Sequence, residues 1–323
     1  MNPVRHDNDL MLYLTESDVR RLLPMKVCIG LVETAFARLA AGESLNQPRR
    51  RLVLPGKSAL HYMAGADGKY FGAKIYATNP GTGAHFLFLL YRAEDAAPLA
   101  VIEANHLGQI RTGAASGVAT RLLARPDSRT VAVIGSGFQA RTQIEAVQEV
   151  LPIQRVRVWS RSIEKSDTFA RTSSATLGLP VESTVTAEEA VHDADILITA
   201  TNSAVPVVES GWVRPGVHIN AMGSNQAQRR ELPEELVRRC EPIVVDSREQ
   251  GRMESGDLLL ALRDDEWGRV RELSEIAAGA AGRISAAAIT LFKSNGLAVE
   301  DVAAAGYVYE RAREQGAGTE LHS

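Results

Sequence analysis

Three hydrophobic periodicities succeed one another along the chain. From Thr15 to Glu43, Met25, Cys28, Val32, Phe36 and Leu39 recur at helical spacing, and Thr15 with Asp18 has the pattern of a capping box, so the stretch is predicted as helical. From Arg51 to Val101 the period shortens. Segments rich in Val, Leu, Tyr and Phe alternate with the clusters LPGKS, GADGK and NPGTG, the pattern of antiparallel strands joined by turns. After Arg111 the small-residue run TGAASGVATRLLA predicts a helix. Five short apolar runs follow, TVAVIG, RVRVWS, DILITAT, HINAMG and PIVVDS, each trailed by a polar or helical stretch. Strands that are apolar on both faces and alternate with helices predict a parallel, doubly wound sheet. The final stretch GLAVEDVAAAGYVYERAREQG reads as one long helix that packs back onto the first domain.

The predicted fold class is therefore α/β: a Rossmann-type doubly wound parallel sheet over residues 116–295, and an α+β domain made of 1–115 with 296–323. A chain of 323 residues has room for two such cores. The net charge of −3, from 36 basic and 39 acidic residues, points to neither nucleic acid nor an anionic membrane as partner. The N-terminus MNPVRHDNDL lacks the apolar run of a signal peptide, and the chain has no uninterrupted apolar run of about 18 residues, so a soluble cytoplasmic protein is expected. Cys28 and Cys240 have no CxxC or CxxH companion, and none of the seven histidines, His6 and His322 among them, shares a helix face with another at metal-ligand spacing; neither disulfide nor metal is expected.

The sharpest local signal is VAVIGSGFQA, a buried strand that runs into Gly135, Ser136, Gly137, Phe138, Gln139 and Ala140 and then into a helix. Gly135 permits the tight turn, Gly137 lets the backbone approach a pyrophosphate, Ala140 allows close helix packing, and the helix N-terminus offers unpaired N–H groups. A nicotinamide dinucleotide is the expected cofactor. NAD-preferring sites place a carboxylate at the end of the second strand, about 20 to 25 residues past the first glycine. Here that end reads Ser160, Arg161, Ser162, which suits a 2′-phosphate and favours NADP(H), with NAD(H) still possible.

Arg50 in QPRRR, Lys74 in FGAKIY, then LGQIRTGAASGVATRLL, GSGFQA, INAMGSN followed by REL, VVDSREQ, ESGDLL and TLFKSNGLAVEDVAA occur in an order that resembles the ornithine cyclodeaminase and mu-crystallin family over nearly the whole chain. The resemblance implies that the outer domain binds substrate and makes a homodimer. It implies a small amino or imino acid as substrate, with Arg50, Lys74 and Arg111 at its carboxylate and its imine or carbonyl group. Within the arginine run, Arg49 or Arg51 takes that place if the register shifts by one. A guanidinium grips a carboxylate through two hydrogen bonds, and a lysine depressed in pKa by burial can donate a proton. Thr201, Gly223 and Ser224 fall at strand ends where cofactors bind, and Lys293 is similar to a family residue near the nicotinamide.

One departure changes the expected chemistry. Cyclodeaminases of the family carry aspartate where this chain has Asn225, and asparagine neither titrates nor attracts the side-chain ammonium of ornithine. The resemblance therefore implies an imine (ketimine) reductase that yields an L-amino acid such as proline or pipecolate. Glu103 is a carboxylate able to replace the missing one. Ornithine cyclodeaminase, alanine dehydrogenase and a mu-crystallin-like binding protein are the alternatives the family offers.

Overall fold

The computed structural model describes residues 10–56, 58–79, 81 and 83–321. The polar start of the chain, His6, His322, and Lys57, Pro80 and Thr82 within the predicted turns lie outside them. The chain divides into two compact units, Met1–Arg111 with Leu297–Ser323, and Thr112–Gly296.

In the first unit, strand β1 (Met11–Leu14) precedes helices α1 (Glu16–Leu22) and α2 (Met25–Ala40). The expected capping box is present: Thr15 Oγ1 accepts from Asp18 N at 3.3 Å, and Asp18 Oδ2 accepts from Thr15 N at 3.0 Å. The single helix expected from Thr15 to Glu43 is in fact two. Pro24 has no N–H and disfavours helical backbone at the residue before it, so Leu23 is extended and the helix restarts at Met25.

Strands β2 (Ser44–Val53), β3 (Ala59–Asp67), β4 (Tyr70–Asn79), β5 (Gly83–Arg92) and β6 (Pro98–Glu103) follow, each antiparallel to the one before. With β1 parallel to β6 and the short C-terminal strand Thr319–Leu321 beside β1, they form a seven-stranded sheet among the described residues. Both edge additions are too short to show an alternation in the sequence. The C-terminal helix Ala298–Gln315 packs on this sheet, and Asn46 Oδ1 of β2 accepts from its first two N–H groups at 2.9 and 3.3 Å. Helix α3 (Asn105–Leu123) starts at a similar cap, with the Glu16 carboxylate accepting from Asn105 N and His106 N.

The second unit is the expected Rossmann-type sheet. Strands β7 (Thr130–Ile134), β8 (Arg155–Trp159), β9 (Val181–Ser183), β10 (Ile196–Thr199), β11 (His218–Ala221), β12 (Cys240–Val245), β13 (Val270–Glu272) and β14 (Ile289–Lys293) are parallel, in the order β13-β12-β14-β11-β10-β7-β8-β9. Alternate residues feed two cores. Val131, Val133, Val156, Val158, Ile196 and Ile198 pack with Ile144 and Val147 of helix α4 (Ala140–Val150), while Ile134, Leu197, Ile219, Val245 and Leu291 fill the opposite side. Burial on both faces is why these strands read as unbroken apolar runs. Three strands had escaped the pattern. β9 and β13 span three residues each, and β14 carries the polar Thr290 and Lys293.

Candidate active site

Lys74 lies in the middle of β4, opposite Met63 of β3 and Phe88 of β5, both fully buried. An ammonium in that setting needs a partner. It has one in Asp301 of the C-terminal helix, whose Oδ1 and Oδ2 lie 2.8 and 2.7 Å from Lys74 Nζ. Arg111 of α3 donates from Nε to the same Asp301 at 2.9 Å and from Nη1 to Glu300 at 2.8 Å. All four side chains are at most 6% exposed. Gly108, one turn before Arg111, faces the lysine, and a Cβ there would come within 3.5 Å of Nζ.

The electrostatics set the two cations apart. Burial, then the Arg111 guanidinium, and further Arg49, bring the Lys74 pKa down to about 8 against the pull of Asp301. Burial works against the charge on Arg111 too, but Asp301 and Glu300 outweigh it and hold its pKa above the ordinary arginine value. Lys74 can therefore give and regain a proton near neutral pH, whereas Arg111 keeps a permanent charge. Lys74 and Arg111 thus share the Asp301 carboxylate, Arg111 also holds Glu300, and the Arg49 charge acts on Lys74 from nearby.

Arg50 does not join this group. Cross-strand partners share a face, and Arg50 pairs with Tyr62, which pairs with Ile75, so Arg50 projects from the face opposite Lys74 and is exposed. Arg49 is the buried arginine, 5% exposed, with Nη2 3.9 Å from Met63 Sδ on the Lys74 face. The register of β2 shifts between Gln47 and Arg50, and such an irregularity reverses the alternation that would have put Arg50 inside. Arg111 also stands elsewhere than expected, in the second turn of α3 rather than at a helix start. What it offers an anion is its guanidinium and not a helix N-terminus.

Glu103 is not available as a replacement carboxylate. It accepts from Tyr13 Oη and from Glu16 N, both at 2.7 Å, and so ties β6 to the start of α1. The acids of this group are Asp301, which meets Lys74 and Arg111, and Glu300, which meets Arg111, both in a helix of ordinary sequence pattern. Their signal was faint: two adjacent acids in a helix whose neighbours Val299, Val302, Ala304 and Ala305 are all apolar.

In the second unit the dinucleotide loop leaves β7 as anticipated. Gly135 has φ +109°, and a Cβ on it would collide with the Ala200 carbonyl. Gly137 differs, since a Cβ there would meet nothing closer than 3.8 Å. Packing does not explain that glycine, and its open backbone leaves room for a pyrophosphate. Phe138 is exposed beside it, and Gln139 precedes the first residue, Ala140, of α4. At the end of β8, Ser160 Oγ lies 3.0 Å from Ser136 Oγ, and Arg161 is exposed. Ser162 is already engaged, since its hydroxyl caps helix α5 (Ile163–Leu177) by accepting from Lys165 N.

Thr201, Gly223 and Ser224 follow the carboxyl ends of the adjacent strands β10 and β11, with Asn225 just beyond. Lys293 meets Ser224 from the buried side. It is fully buried, with Nζ donating to the Ala221 and Ser224 carbonyls and lying 3.2 Å from Asp257 Oδ2.

Comparison with known proteins agrees with both units. Residues 10–316 match the model of the ornithine cyclodeaminase/mu-crystallin family. The chain is 35% identical to a Delta(1)-pyrroline-2-carboxylate reductase of Bacillus cereus, over 96% of this chain and 99% of that one. The solved structure of the Thermococcus litoralis Delta(1)-pyrroline-2-carboxylate reductase with NADH and L-proline superposes with a TM-score of 0.92, 38% identity, and coverage of 96% of this chain and 100% of that one. An archaeal alanine dehydrogenase dimer with bound NAD gives a TM-score of 0.91 at 33% identity, over 97% and 99% of the two chains. The chain belongs to the ornithine cyclodeaminase/mu-crystallin family.

Proposed function

We propose that this chain is an imine reductase. It reduces the C=N bond of a small imino acid such as Δ1-pyrroline-2-carboxylate or Δ1-piperideine-2-carboxylate to the L-amino acid, proline or pipecolate. The observation that carries the reading is Lys74, a buried ammonium with its pKa near 8, paired with an Asp301 that also holds Arg111. Reduction adds a hydride to the imine carbon and a proton to its nitrogen. A bound nicotinamide dinucleotide supplies the hydride. Lys74 supplies the proton, and Arg49 and Arg111 hold the substrate carboxylate. Asn225 offers no carboxylate for a second ammonium, which favours an imine over ornithine.

NADPH is the preferred donor and NADH is accepted. Ser136 and Ser160 come together where NAD-preferring sites hold a carboxylate, and Arg161 beside them has the charge a 2′-phosphate requires. The chain works as a homodimer. On the sheet face opposite Lys74, Leu52, Leu60, Tyr62 and Leu87 are each at least 40% exposed, an apolar surface that a second copy would cover. Both cysteines are buried thiols, in keeping with a reducing cytoplasm, and no helix among the described residues is long and apolar enough to cross a membrane.

The test is a substrate panel followed by NADPH absorbance. Consumption with the two cyclic imines and not with pyruvate plus ammonia supports the assignment. Ammonia and proline formed from L-ornithine without net cofactor change would replace it by a cyclodeaminase.

A further inference from the structure

We infer that Glu231 is a positioning residue for the nicotinamide half of the dinucleotide, an inference that rests on the dinucleotide-binding reading above. In a doubly wound sheet each half binds one mononucleotide at its strand ends. The half that starts at β7 carries the glycine loop and Ser160, which leaves the ends of β10 and β11 to the nicotinamide half.

Glu231 is fully buried and clamps those two ends together. Its Oε1 accepts from Thr201 N at 2.6 Å, and its Oε2 accepts from Thr199 Oγ1 at 2.9 Å and from Gly223 N at 2.8 Å. The contact leaves no room for a side chain at Gly223, where a Cβ would collide with both the Thr201 carbonyl and the Glu231 carboxylate. Through Thr201 and Ala200 the clamp also backs onto Gly135 of the glycine loop.

The clamp is itself held. Asp257 Oδ1 accepts from the N–H groups of Glu231 and Leu232 at 2.6 and 2.9 Å, and Asp257 Oδ2 meets Lys293, whose ammonium bonds the Ser224 carbonyl. Three fully buried charged side chains thus converge on two short loops. Apolar residues of similar volume would fill the same space without the desolvation cost. What carboxylates add is a fixed place for three otherwise unpaired donors, hence a fixed path for the Thr201 and Gly223–Ser224 backbone.

Glutamine at 231 keeps the shape but points an amide NH2 at one of the N–H donors. Glu231→Gln should weaken NADPH binding about tenfold, while 2′-phospho-ADP-ribose, which lacks nicotinamide, should change by less than about twofold. Calorimetric titration of the intact enzyme with both compounds reads the difference. Equal losses for the two, as a general scaffold role would give, or no loss for either, would overturn the inference. If Glu231→Gln does not fold, Thr199→Val removes one donor to the same carboxylate and should weaken NADPH alone by about threefold; an unchanged NADPH affinity in that variant would also overturn it. Unaltered protein that binds neither these compounds nor NADH would instead overturn the dinucleotide reading on which it stands.

Discussion

Lys74 Nζ lies 2.7 Å from Oδ2 of Asp301, an ion pair between residues 227 positions apart in the chain and buried on both sides. The carboxylate raises the lysine pKa while burial, Arg111 and Arg49 lower it, and the outcome is about 8. The protonated form donates, so kcat/KM for imine reduction should be level at low pH and fall as pH rises through about 8. The reverse oxidation should rise over the same range. Asp301→Asn removes the carboxylate paired with the lysine, and the falling limb should move about 1 to 3 pH units lower. Lys74→Ala should lose at least about 100-fold in kcat with cofactor affinity retained. A pH profile unchanged in Asp301→Asn would remove Lys74 as the proton donor.

The two arginines on β2 should behave oppositely. Arg49→Ala should raise KM for the imino acid by about tenfold or more, since a charge-assisted bidentate contact is lost, while Arg50→Ala should leave it within about twofold. Steady-state kinetics at saturating NADPH decide this, and a larger effect at Arg50 would return the anchor to the exposed face.

Much of this site was legible in the sequence, and the gaps have physical causes. Lys74 stood out because a charge in an apolar strand is costly without a role, and Gly135 because its turn demands φ > 0. The choice of Arg50 over Arg49 failed at an irregular register that no local pattern reveals. Asp301 escaped notice because acids in the first turn of a helix are common complements to its dipole. Only the long-range packing of that helix on β4 gives it another meaning. The resemblance puts Lys293 near the nicotinamide, but its motif says nothing about the direction of the ammonium, which meets the buried Asp257.

The proposed preference for NADPH assigns the 2′-phosphate to Arg161. Arg161→Ala should raise KM for NADPH about tenfold and leave that for NADH nearly unchanged. Equal effects on the two would remove the 2′-phosphate contact.

Assembly is open to a single charge. Leu60 on the exposed face of β3 is 40% accessible, between Leu52 and Ala77 on the neighbouring strands. Leu60→Glu would bury a carboxylate in a self-associated face and should shift the protein to monomer by light scattering. Dimers of unchanged stability would place the interface elsewhere.

In the proposed reduction of a cyclic imine, Lys74 gives the proton and the dinucleotide the hydride. The most direct measurement supplies Δ1-pyrroline-2-carboxylate with NADPH dideuterated at its hydride-donating carbon and reads the product by mass spectrometry and chiral chromatography. The account predicts L-proline with one deuterium at Cα for every NADPH oxidised, and almost none from Lys74→Ala. Unlabelled product, or no reduction of the imine by an enzyme that converts ornithine to proline, would contradict it.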